Sequence, residues 1–224
     1  MGALHRSPRI RFRSSRKDGA VSVLALTGAT ASELRAADGW ARANGGRVLR
    51  IAVDGGLLAW REIRRRCDLY VGDGDSAAPP RDTESILYET DKAFSDLAGA
   101  LDVAHRRGAR VGCVAGLTGG RLDHEWGNLL ELAAHVRKFR GLLAPTPRGW
   151  VVLTAGGVTV ETLPGRTFSL FAPAGPARVD LSGSRWTLRD ARLRPGSRGL
   201  SNVTGERLRL TVRSGAACLV FPEP

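Results

Sequence analysis

Short apolar runs alternate with longer amphipathic stretches through the first two thirds of the chain. The apolar runs are typical of buried strands, and the amphipathic stretches, several of which end at glycines, are typical of helices. The predicted strands cover residues 21–26, 47–53, 69–71, 85–89, 110–116 and 141–144. The predicted helices cover residues 31–44, 57–66, 95–108 and 124–139. This alternation predicts an α/β fold, with a mainly parallel sheet and helices on both of its faces.

The pattern changes after Pro145 and Pro147. The segments that follow are short, alternate between apolar and polar positions, and are separated by glycine and proline. They predict a small antiparallel β domain, a sandwich or a barrel, over residues 149–224. We therefore expect a basic, flexible arm over residues 1–18, an α/β domain over residues 19–148 and then this β domain.

The composition is that of a folded protein and narrows its environment. Of the 224 residues, 42% are hydrophobic and 25% are charged, which is enough for a core and argues against disorder. No apolar run approaches the roughly 18 residues of a membrane span, and the basic N-terminal stretch lacks the apolar run of a secretory signal. The three cysteines form no C-x-x-C pair, which argues against a disulfide framework and a zinc site. We therefore expect a cytoplasmic protein with no membrane partner.

The charge balance favours an anionic partner. The chain has 34 basic and 22 acidic residues, a formal net charge of +12. Nearly all the basic residues are arginine, and such usage can reflect genome composition as easily as function. The charge alone therefore leaves nucleic acid, nucleotide and phosphate ligands open.

Polar clusters follow four of the predicted strands. They cover residues 54–56, 73–76, 89–96 and 116–124, and each combines carboxylates with glycines or with single basic residues. In a doubly wound sheet, ligands bind beyond the carboxyl ends of the strands, so these clusters should converge on one edge. Each cluster alone is more typical of a solvated turn. Their joint placement is what favours a site.

Converging carboxylates repel each other unless a cation neutralises them. Magnesium suits hard oxygen ligands and usually keeps several waters and a substrate phosphate. Glycines let backbone N–H groups approach an anion, and helix N-termini favour it further. Carboxylates, Mg²⁺ and phosphate beside lysine and arginine are the components of phosphoryl or pyrophosphoryl transfer.

The clusters also resemble a known family when they are taken in order. The blocks are A-V-D-G-G at 52–56, G-D-G-D-S at 72–76, D-K-A-F-S-D at 91–96, G-L-T-G-G-R-L-D-H-E-W-G-N at 116–128 and G-L-S-N at 199–202. Their order and spacing are similar to those of the thiamine pyrophosphokinase family of the bacterial type, over roughly residues 48–220. The G-G-R-L-D-H block is the specific part, and the late S-N is weak alone.

The resemblance implies a homodimer whose active site lies where subunits meet. It implies a nucleotide-binding catalytic α/β domain and a thiamine-binding β domain. The implied reaction moves the pyrophosphoryl group of the co-substrate ATP onto the hydroxyethyl oxygen of thiamine, which gives thiamine diphosphate and AMP with Mg²⁺ as cofactor. Nucleic acid is not an expected partner under this interpretation.

The resemblance also assigns roles residue by residue. The implied metal ligands are Asp73, Asp75 and Asp96. The implied catalytic residues are Asp96, Asp91, Lys92, Arg121 and Asp123, with Asp96 as the first choice for the proton acceptor and Asp91 as the second. The implied nucleotide and phosphate residues are Asp54, Gly55, Gly56, Ser76, Ser95, Gly119, Gly120, His124 and Asn128. The implied thiamine residues are Trp186, Ser201 and Asn202, although Trp186 is as readily interpreted as a core residue of the β domain.

Two departures from the family pattern keep alternatives open. Ala93 stands where the family has a carboxylate, and Gly74 stands where it usually has a bulky apolar residue. They favour, as one alternative, a pyrophosphokinase that acts on a different alcohol. A second alternative is a non-catalytic protein that binds nucleotides, or nucleic acid through its basic arm. No interleaving of aromatic with basic residues supports the nucleic acid version.

Overall fold

The computed structural model describes residues 8–13 and 19–223, which form one mixed sheet with helices packed against its parallel part. The strands are β1 (Arg9–Phe12), β2 (Ala20–Ala25), β3 (Val48–Val53), β4 (Leu69–Gly72), β5 (Glu84–Leu87), β6 (Ala109–Ala115), β7 (Gly141–Thr146), β8 (Gly149–Thr154), β9 (Gly157–Glu161), β10 (Thr167–Phe171), β11 (Ala177–Ser184), β12 (Leu188–Leu193), β13 (Asn202–Ser214) and β14 (Ala217–Pro222). The α-helices are α1 (Ala31–Asn44), α2 (Leu57–Glu62), α3 (Asp96–Arg106) and α4 (Leu122–His135). Single 3₁₀ turns cover Asp54–Gly56 and Val136–Lys138.

Two of the helices begin at side-chain caps. The Thr30 hydroxyl accepts the Glu33 N–H at 3.2 Å, while the Glu33 carboxylate accepts the Thr30 N–H at 2.9 Å, so a capping box starts α1. The Ser95 hydroxyl accepts the Ala98 N–H at 3.1 Å and starts α3. The second cap fixes the point at which the chain turns from the loop after β5 into a helix, beside the clusters described above.

The strand order is β1-β9-β13-β10-β14-β8-β7-β6-β2-β3-β4-β5, with β11 and β12 branching from β13. Strands β2 to β7 run parallel to one another. From β8 onward every pairing is antiparallel. Over the described residues five neighbouring pairs are parallel and eight are antiparallel, so the sheet as a whole is mixed and largely antiparallel.

The helices cover both faces of the parallel strands because successive side chains of β2 point to opposite faces. Val21 and Val23 belong to the core that includes residues of α1 and α2. Leu24 belongs to the core that includes residues of α3 and α4. These two buried layers hold the carboxyl ends of the parallel strands in fixed positions. None of the described helices is long and apolar enough to cross a membrane.

The structure differs from the sequence prediction in its connections and at its N-terminus. The parallel and antiparallel parts are one hydrogen-bonded sheet, because β8 pairs with both β7 and β14 and so joins the two parts across residue 148. Within the predicted flexible arm, Arg9–Phe12 forms an edge strand that pairs with Gly157–Glu161. Residues 1–7 and 14–18 of that arm lie outside the described residues. A division into domains at residue 148 stays a prediction.

Candidate active site

The polar clusters after the parallel strands surround one cavity of about 530 Å³. It lies beyond the carboxyl ends of β2, β3, β4 and β6 and the N-terminal ends of α3 and α4. Its lining includes ten of the residues predicted for the site: Asp54, Asp75, Ser76, Lys92, Ser95, Asp96, Gly120, Arg121, His124 and Asn128. The sheet edge expected from the alternating pattern is thus where these side chains gather.

Asp54 is the buried centre of this group. It is only 5% exposed and has a positive φ of 47°, a conformation that costs a non-glycine residue of order 1 kcal/mol and is often found at functional sites. Its Oδ1 accepts hydrogen bonds from the Tyr70 hydroxyl at 3.0 Å and the Ser76 N–H at 3.4 Å. Burial alone would raise the pKa of Asp54, but the hydrogen bonds, with Ser76 foremost, hold it below its ordinary value. Asp54 is therefore a carboxylate at neutral pH.

Three carboxylates have the spacing of metal ligands. One oxygen from each of Asp54, Asp73 and Asp75 lies within 4.8 Å of the other two. Asp75 also accepts the Ser76 hydroxyl at 2.8 Å, and its N–H donates to Asp73 at 3.3 Å. Asp96, the third metal ligand that the resemblance implies, is not part of this group of three, and its role as a ligand stays a prediction.

Asp96 joins the group through Lys92. The Lys92 ammonium lies 3.1 Å from Asp73 Oδ2 and 3.2 Å from Asp96 Oδ1, and its side chain is only 11% exposed. The hydrogen bond from Lys92 lowers the pKa of Asp73. Burial raises the pKa of Asp96 despite Lys92, and the charges of Asp73 and Asp54 raise it further. Asp96 Oδ1 is buried and makes no hydrogen bond of good geometry among the described residues. Between Asp54, whose pKa is lowered, and Asp96, whose pKa is raised, Asp96 is the carboxylate that accepts a proton more readily.

The loop between β6 and α4 presents two backbone N–H groups. Those of Gly119 and Gly120 both donate to one oxygen of Glu125, at 2.7 and 3.0 Å. Two successive N–H groups on one carboxylate oxygen form an anion-binding turn. The side-chain amide of Asn128 donates to the Leu117 carbonyl at 3.4 Å and ties α4 to the same loop.

An exposed ion pair stands beside this loop. Arg121 contacts both carboxylate oxygens of Asp123, at 3.2 and 2.6 Å. The hydrogen bond from Arg121 lowers the pKa of Asp123 to about 2. Asp123 does not line the cavity, and the side chain that it contacts is that of Arg121.

Some predicted residues do not line the cavity. Asp91 is exposed and does not contribute to its wall. Gly55 and Gly56 are buried next to Asp54, and a Cβ on Gly56 would lie 1.7 Å from the carbonyl oxygen of Ala25. Gly56 is therefore required for the close packing of the loop on the end of β2.

The predicted thiamine residues lie in the antiparallel part of the structure. Asn202 is buried, and its amide brackets the Trp186 backbone: Oδ1 accepts the Trp186 N–H at 3.1 Å and Nδ2 donates to the Trp186 carbonyl at 2.8 Å. Ser201 has a positive φ of 60°, and its N–H donates to the Ser169 hydroxyl at 3.2 Å. Trp186 is 53% exposed, with the Arg185 guanidinium 5.1 Å from its ring centroid. It is therefore not a core residue.

These residues belong to a different cavity from the carboxylates. Trp186 and Asn202 line a cavity of about 810 Å³, which shares no lining residue with the carboxylate cavity. Arg192, Arg194 and Arg198 also line it, and no carboxylate does among the residues described. Within one chain, the residues predicted to bind the nucleotide and those predicted to bind thiamine thus line separate cavities.

Two residues that line the cavity, Thr27 and Glu125, and one buried residue behind it, Tyr70, were not predicted from the sequence. Thr27 lies 3.5 Å from Asp54 and follows β2, so the rule applied to the other strand ends would have found it. Glu125 lies inside the quoted G-G-R-L-D-H-E-W-G-N block but was assigned no role. Tyr70 is in the interior of β4, where no sequence pattern distinguishes a tyrosine that binds a carboxylate from one that packs in the core.

Comparison with known proteins gives the same family as the motifs. A sequence model described as "Thiamin pyrophosphokinase, catalytic domain" matches residues 41–141. This segment includes Asp54, Asp73, Asp75, Lys92 and Asp96. The resemblance to the thiamine pyrophosphokinase family is confirmed. No curated protein sequence matches the chain.

Solved structures of thiamin pyrophosphokinases share the fold. The protein from Bacillus subtilis superposes with a TM-score of 0.74 at 19% identity, covering 90% of this chain and 98% of its own. That from Geobacillus thermodenitrificans has a TM-score of 0.68 at 23% identity, with 91% and 98% covered. The enzyme from Candida albicans has a TM-score of 0.70 at 12% identity, with 92% and 90% covered. At these identities the likeness establishes the fold, which therefore extends beyond the matched segment into the antiparallel part of the sheet.

Proposed function

We propose that the protein is a thiamine pyrophosphokinase, which transfers the pyrophosphoryl group of ATP to thiamine and releases AMP. The observation that carries this proposal is the group of Asp54, Asp73 and Asp75, joined through Lys92 to Asp96. These residues lie at the carboxyl edge of the parallel strands, within the segment that matches the family's catalytic domain.

In the proposed reaction the alcohol oxygen of the acceptor attacks the β-phosphorus of ATP. The bond from that phosphorus to the oxygen bridging it to the α-phosphorus breaks, and AMP leaves. Asp96 accepts the alcohol proton, since burial raises its pKa toward the working pH, whereas the pKa values of Asp54 and Asp73 are lowered. Lys92 and Arg121 offset charge on the transferring oxygens, and Gly119 and Gly120 offer N–H groups to a phosphate oxygen. Alignment of two substrates in one cleft supplies much of the rate.

The carboxylates also suit the magnesium ion that this chemistry needs. Asp54 and Asp73 have lowered pKa values and are ionised at neutral pH. An oxygen of Asp75 lies within 4.8 Å of an oxygen of each, a spacing at which one cation can contact all three. We propose that these three residues hold Mg²⁺, which would neutralise phosphate charge when bound. Asp96 then remains free to accept the proton.

We further propose that the working enzyme is a homodimer. The cavity of Trp186 shares no residue with that of the carboxylates, so a complete site needs a second chain or a large rearrangement. Exposed aromatic side chains on both parts, Trp126 at 65% and Trp186 at 53%, provide apolar surface for such an interface. Three buried cysteines without a disulfide, Cys67, Cys113 and Cys218, support a reducing, cytoplasmic location.

A second candidate function has an observation in its favour. Thiamine is a cation, yet the cavity beside Trp186 is lined by three arginines and no carboxylate among the described residues, and Arg185 already stands over the Trp186 ring. Such a cavity suits a neutral or anionic alcohol better. With Ala93 and Gly74 at the departures from the family pattern, this favours a pyrophosphokinase with another acceptor.

AMP release in the presence of ATP, Mg²⁺ and thiamine tests the proposal. We expect thiamine-dependent AMP, and a kcat/KM that rises with pH as Asp96 loses its proton, through a pKa above the ordinary 3.8. Asp96→Asn should lower kcat by about 10²- to 10⁴-fold. The matched control is Asp91→Asn, an exposed position outside the cavity, which should leave kcat unchanged.

Three results would change the assignment. Loss of activity in Asp91→Asn with full activity in Asp96→Asn would exchange the two roles. Pyrophosphorylation of a related neutral or anionic alcohol, with thiamine inert, would establish the second candidate. No AMP release with any acceptor, across divalent metals and pH, would leave a binding protein of this fold.

A further inference from the structure

A third cavity, of about 540 Å³, lies between the edge strand β1 and helix α1. Three arginines line it, Arg9, Arg11 and Arg35, and so do two tryptophans, Trp40 and Trp150. Its other lining residues are uncharged. None of its lining residues belongs to either of the cavities described above, so the proposed reaction does not use it.

The three arginines have no acidic partner among residues 8–13 and 19–223. The residue opposite Arg9 in the β1–β9 pairing is Glu161, and its carboxylate binds Arg207 at 3.2 Å instead. Another cluster of arginines is neutralised by a carboxylate of α1. Arg42, Arg50 and Arg65 lie 2.9–3.4 Å from the buried carboxylate of Asp38. Guanidinium groups that share a cavity without a carboxylate repel one another, and an anion would relieve that repulsion.

The tryptophans add an apolar and hydrogen-bonding component. Trp150 is 7% exposed and Trp40 packs edge-on against Phe12, with ring centroids 6.3 Å apart. The indole nitrogen of Trp40 is buried and has no hydrogen-bond partner among the described residues. Tryptophan beside arginine is a combination that binds aromatic rings attached to anionic groups.

We propose that this cavity binds a small ligand in which a phosphate group is joined to an aromatic ring. A guanidinium group can donate two parallel hydrogen bonds to two oxygens of one phosphate. The cavity volume, about 540 Å³, is within the range of small-ligand sites. The arginines surround a concavity, whereas nucleic acid is bound along a basic stripe that follows its backbone. The arrangement therefore selects a ligand the size of a nucleoside monophosphate.

Fluorine NMR on protein labelled with 5-fluorotryptophan tests this site, because the chain has only five tryptophans. Resonances are assigned with single Trp→Phe variants. The probe is GMP, titrated in EDTA, with guanosine and inorganic phosphate as its two parts. We expect saturable shifts at Trp40 and Trp150 but not at Trp126 or Trp186. Each part alone should bind at least about tenfold more weakly, since each lacks one set of contacts.

Matched variants separate a built site from general charge. Replacement of Arg9, Arg11 and Arg35 together by glutamine should weaken GMP binding about tenfold or more. Arg35→Glu alone, at an exposed helix position, should weaken it in the same direction if the triple variant folds poorly. The control replaces by glutamine three other exposed arginines that do not line the cavity, Arg47, Arg137 and Arg189, and should leave GMP binding within twofold.

Three outcomes would overturn the proposal. The first is the absence of a saturable shift at Trp40 and Trp150. The second is equal loss of binding in the cavity variant and the control variant, which would show a general effect of net charge. The third is binding of a single-stranded oligonucleotide at least about tenfold tighter than GMP through the same three arginines, which would make the cavity part of a nucleic acid surface.

Discussion

Lys92 is the side chain whose removal should have the largest and most specific effect on the site. Its ammonium lies 3.1 Å from Asp73 and 3.2 Å from Asp96, and the three side chains are only 11%, 8% and 24% exposed. Lys92→Gln keeps most of the side-chain volume but leaves two carboxylates close together without a cation. The proposed function is not needed for this expectation, since it concerns the stability of the fold.

The size of the effect follows from these distances. At an effective dielectric constant of about 20, unit charges about 3 Å apart attract by about 5 kcal/mol. Dehydration of the ammonium and repulsion between the carboxylates offset much of the two attractions. Removing one partner of a buried ion pair costs about 3–5 kcal/mol. Because a quarter of the Asp96 side chain is exposed, we expect Lys92→Gln to lower the free energy of unfolding by the smaller of these values, about 3 kcal/mol.

The loss should depend on pH with a definite sign. Lys92 lowers the pKa of Asp73, so the pair stabilises the fold above the ordinary carboxyl pKa, and this contribution is lost as the pH falls. The pKa of Asp96 is raised, so its proton stabilises the fold at acid pH and that contribution is lost as the pH rises through the folded value. Without Lys92 both trends lower stability at neutral pH. The difference from the unsubstituted protein should therefore be largest near pH 7 and shrink below about pH 4.

Urea denaturation followed by far-UV circular dichroism, in EDTA, measures this difference. Lys92→Gln with Asp96→Asn should recover at least about 1 kcal/mol relative to Lys92→Gln alone, because one of the two unpaired charges is removed. The matched control is Lys138→Gln: its partner Asp102 lies 2.5 Å away, but the two side chains are 44% and 39% exposed. That pair should be worth less than about 1 kcal/mol. Equal losses in the two lysine variants, or no recovery in the double variant, would refute the account of Lys92 as the cation of a buried network.

Three further predictions use the same assays. Gly56→Ala should destabilise the fold by about 3 kcal/mol or more, because the new Cβ would lie 1.7 Å from a backbone carbonyl oxygen. Gly46→Ala should cost little, because there is open space around the new methyl group. Comparable urea midpoints for the two variants would contradict this prediction. Glu125→Gln should lower the KM for ATP about two- to fivefold in steady-state assays, because the Glu125 carboxylate competes with phosphate for the N–H groups of Gly119 and Gly120. An unchanged or higher KM would mean that phosphate does not bind these two N–H groups. Tyr70→Phe removes the 3.0 Å hydrogen bond that the Tyr70 hydroxyl donates to buried Asp54. It should lower the free energy of unfolding by about 1–3 kcal/mol and raise the pKa of Asp54. Urea titrations at several pH values would detect a loss of stability that is largest at pH values above the carboxyl pKa.

The alternation of apolar runs was sufficient to place the parallel strands, because a strand buried on both faces is a continuous apolar run bounded by turns. It also placed the polar clusters at one edge, since all parallel strands end on the same side. The spacing of the carboxylates was beyond it. The motifs group Asp73 and Asp75 with Asp96 as metal ligands. In the structure the Lys92 ammonium lies between Asp73 and Asp96, and an oxygen of buried Asp54 lies within 4.8 Å of oxygens of Asp73 and Asp75. Side-chain geometry across separate loops has no periodic signal in the sequence.

The N-terminal strand shows a different limit. Arg9–Phe12 reads as part of a basic arm because two of its four residues are arginines, yet Ile10 is fully buried. An edge strand needs only one apolar face, so two alternate apolar residues suffice to dock it. The continuity of the sheet through β8 was likewise invisible, because a hairpin between two adjoining strands looks the same in sequence whether it joins two domains or one sheet.

The acidic loop at 73–76 has a place in a chain of net charge +12 because the fold already neutralises it. Lys92 contacts Asp73 of this loop, and the Tyr70 hydroxyl and the Ser76 N–H donate to the neighbouring carboxylate of Asp54. These contacts stabilise both carboxylates without a bound metal ion. This has a consequence for the proposed metal. A divalent ion must compete with an ammonium 3.1 Å from Asp73, so the carboxylates alone should bind it weakly. Magnesium usually enters such sites with substrate phosphates as further ligands. We therefore expect Mg²⁺ to raise the thermal stability of this protein much more in the presence of a non-hydrolysable ATP analogue than alone, and to raise that of Lys92→Gln even without nucleotide. If Mg²⁺ alone stabilises the unsubstituted protein as strongly as Lys92→Gln, then Lys92 does not compete for these carboxylates.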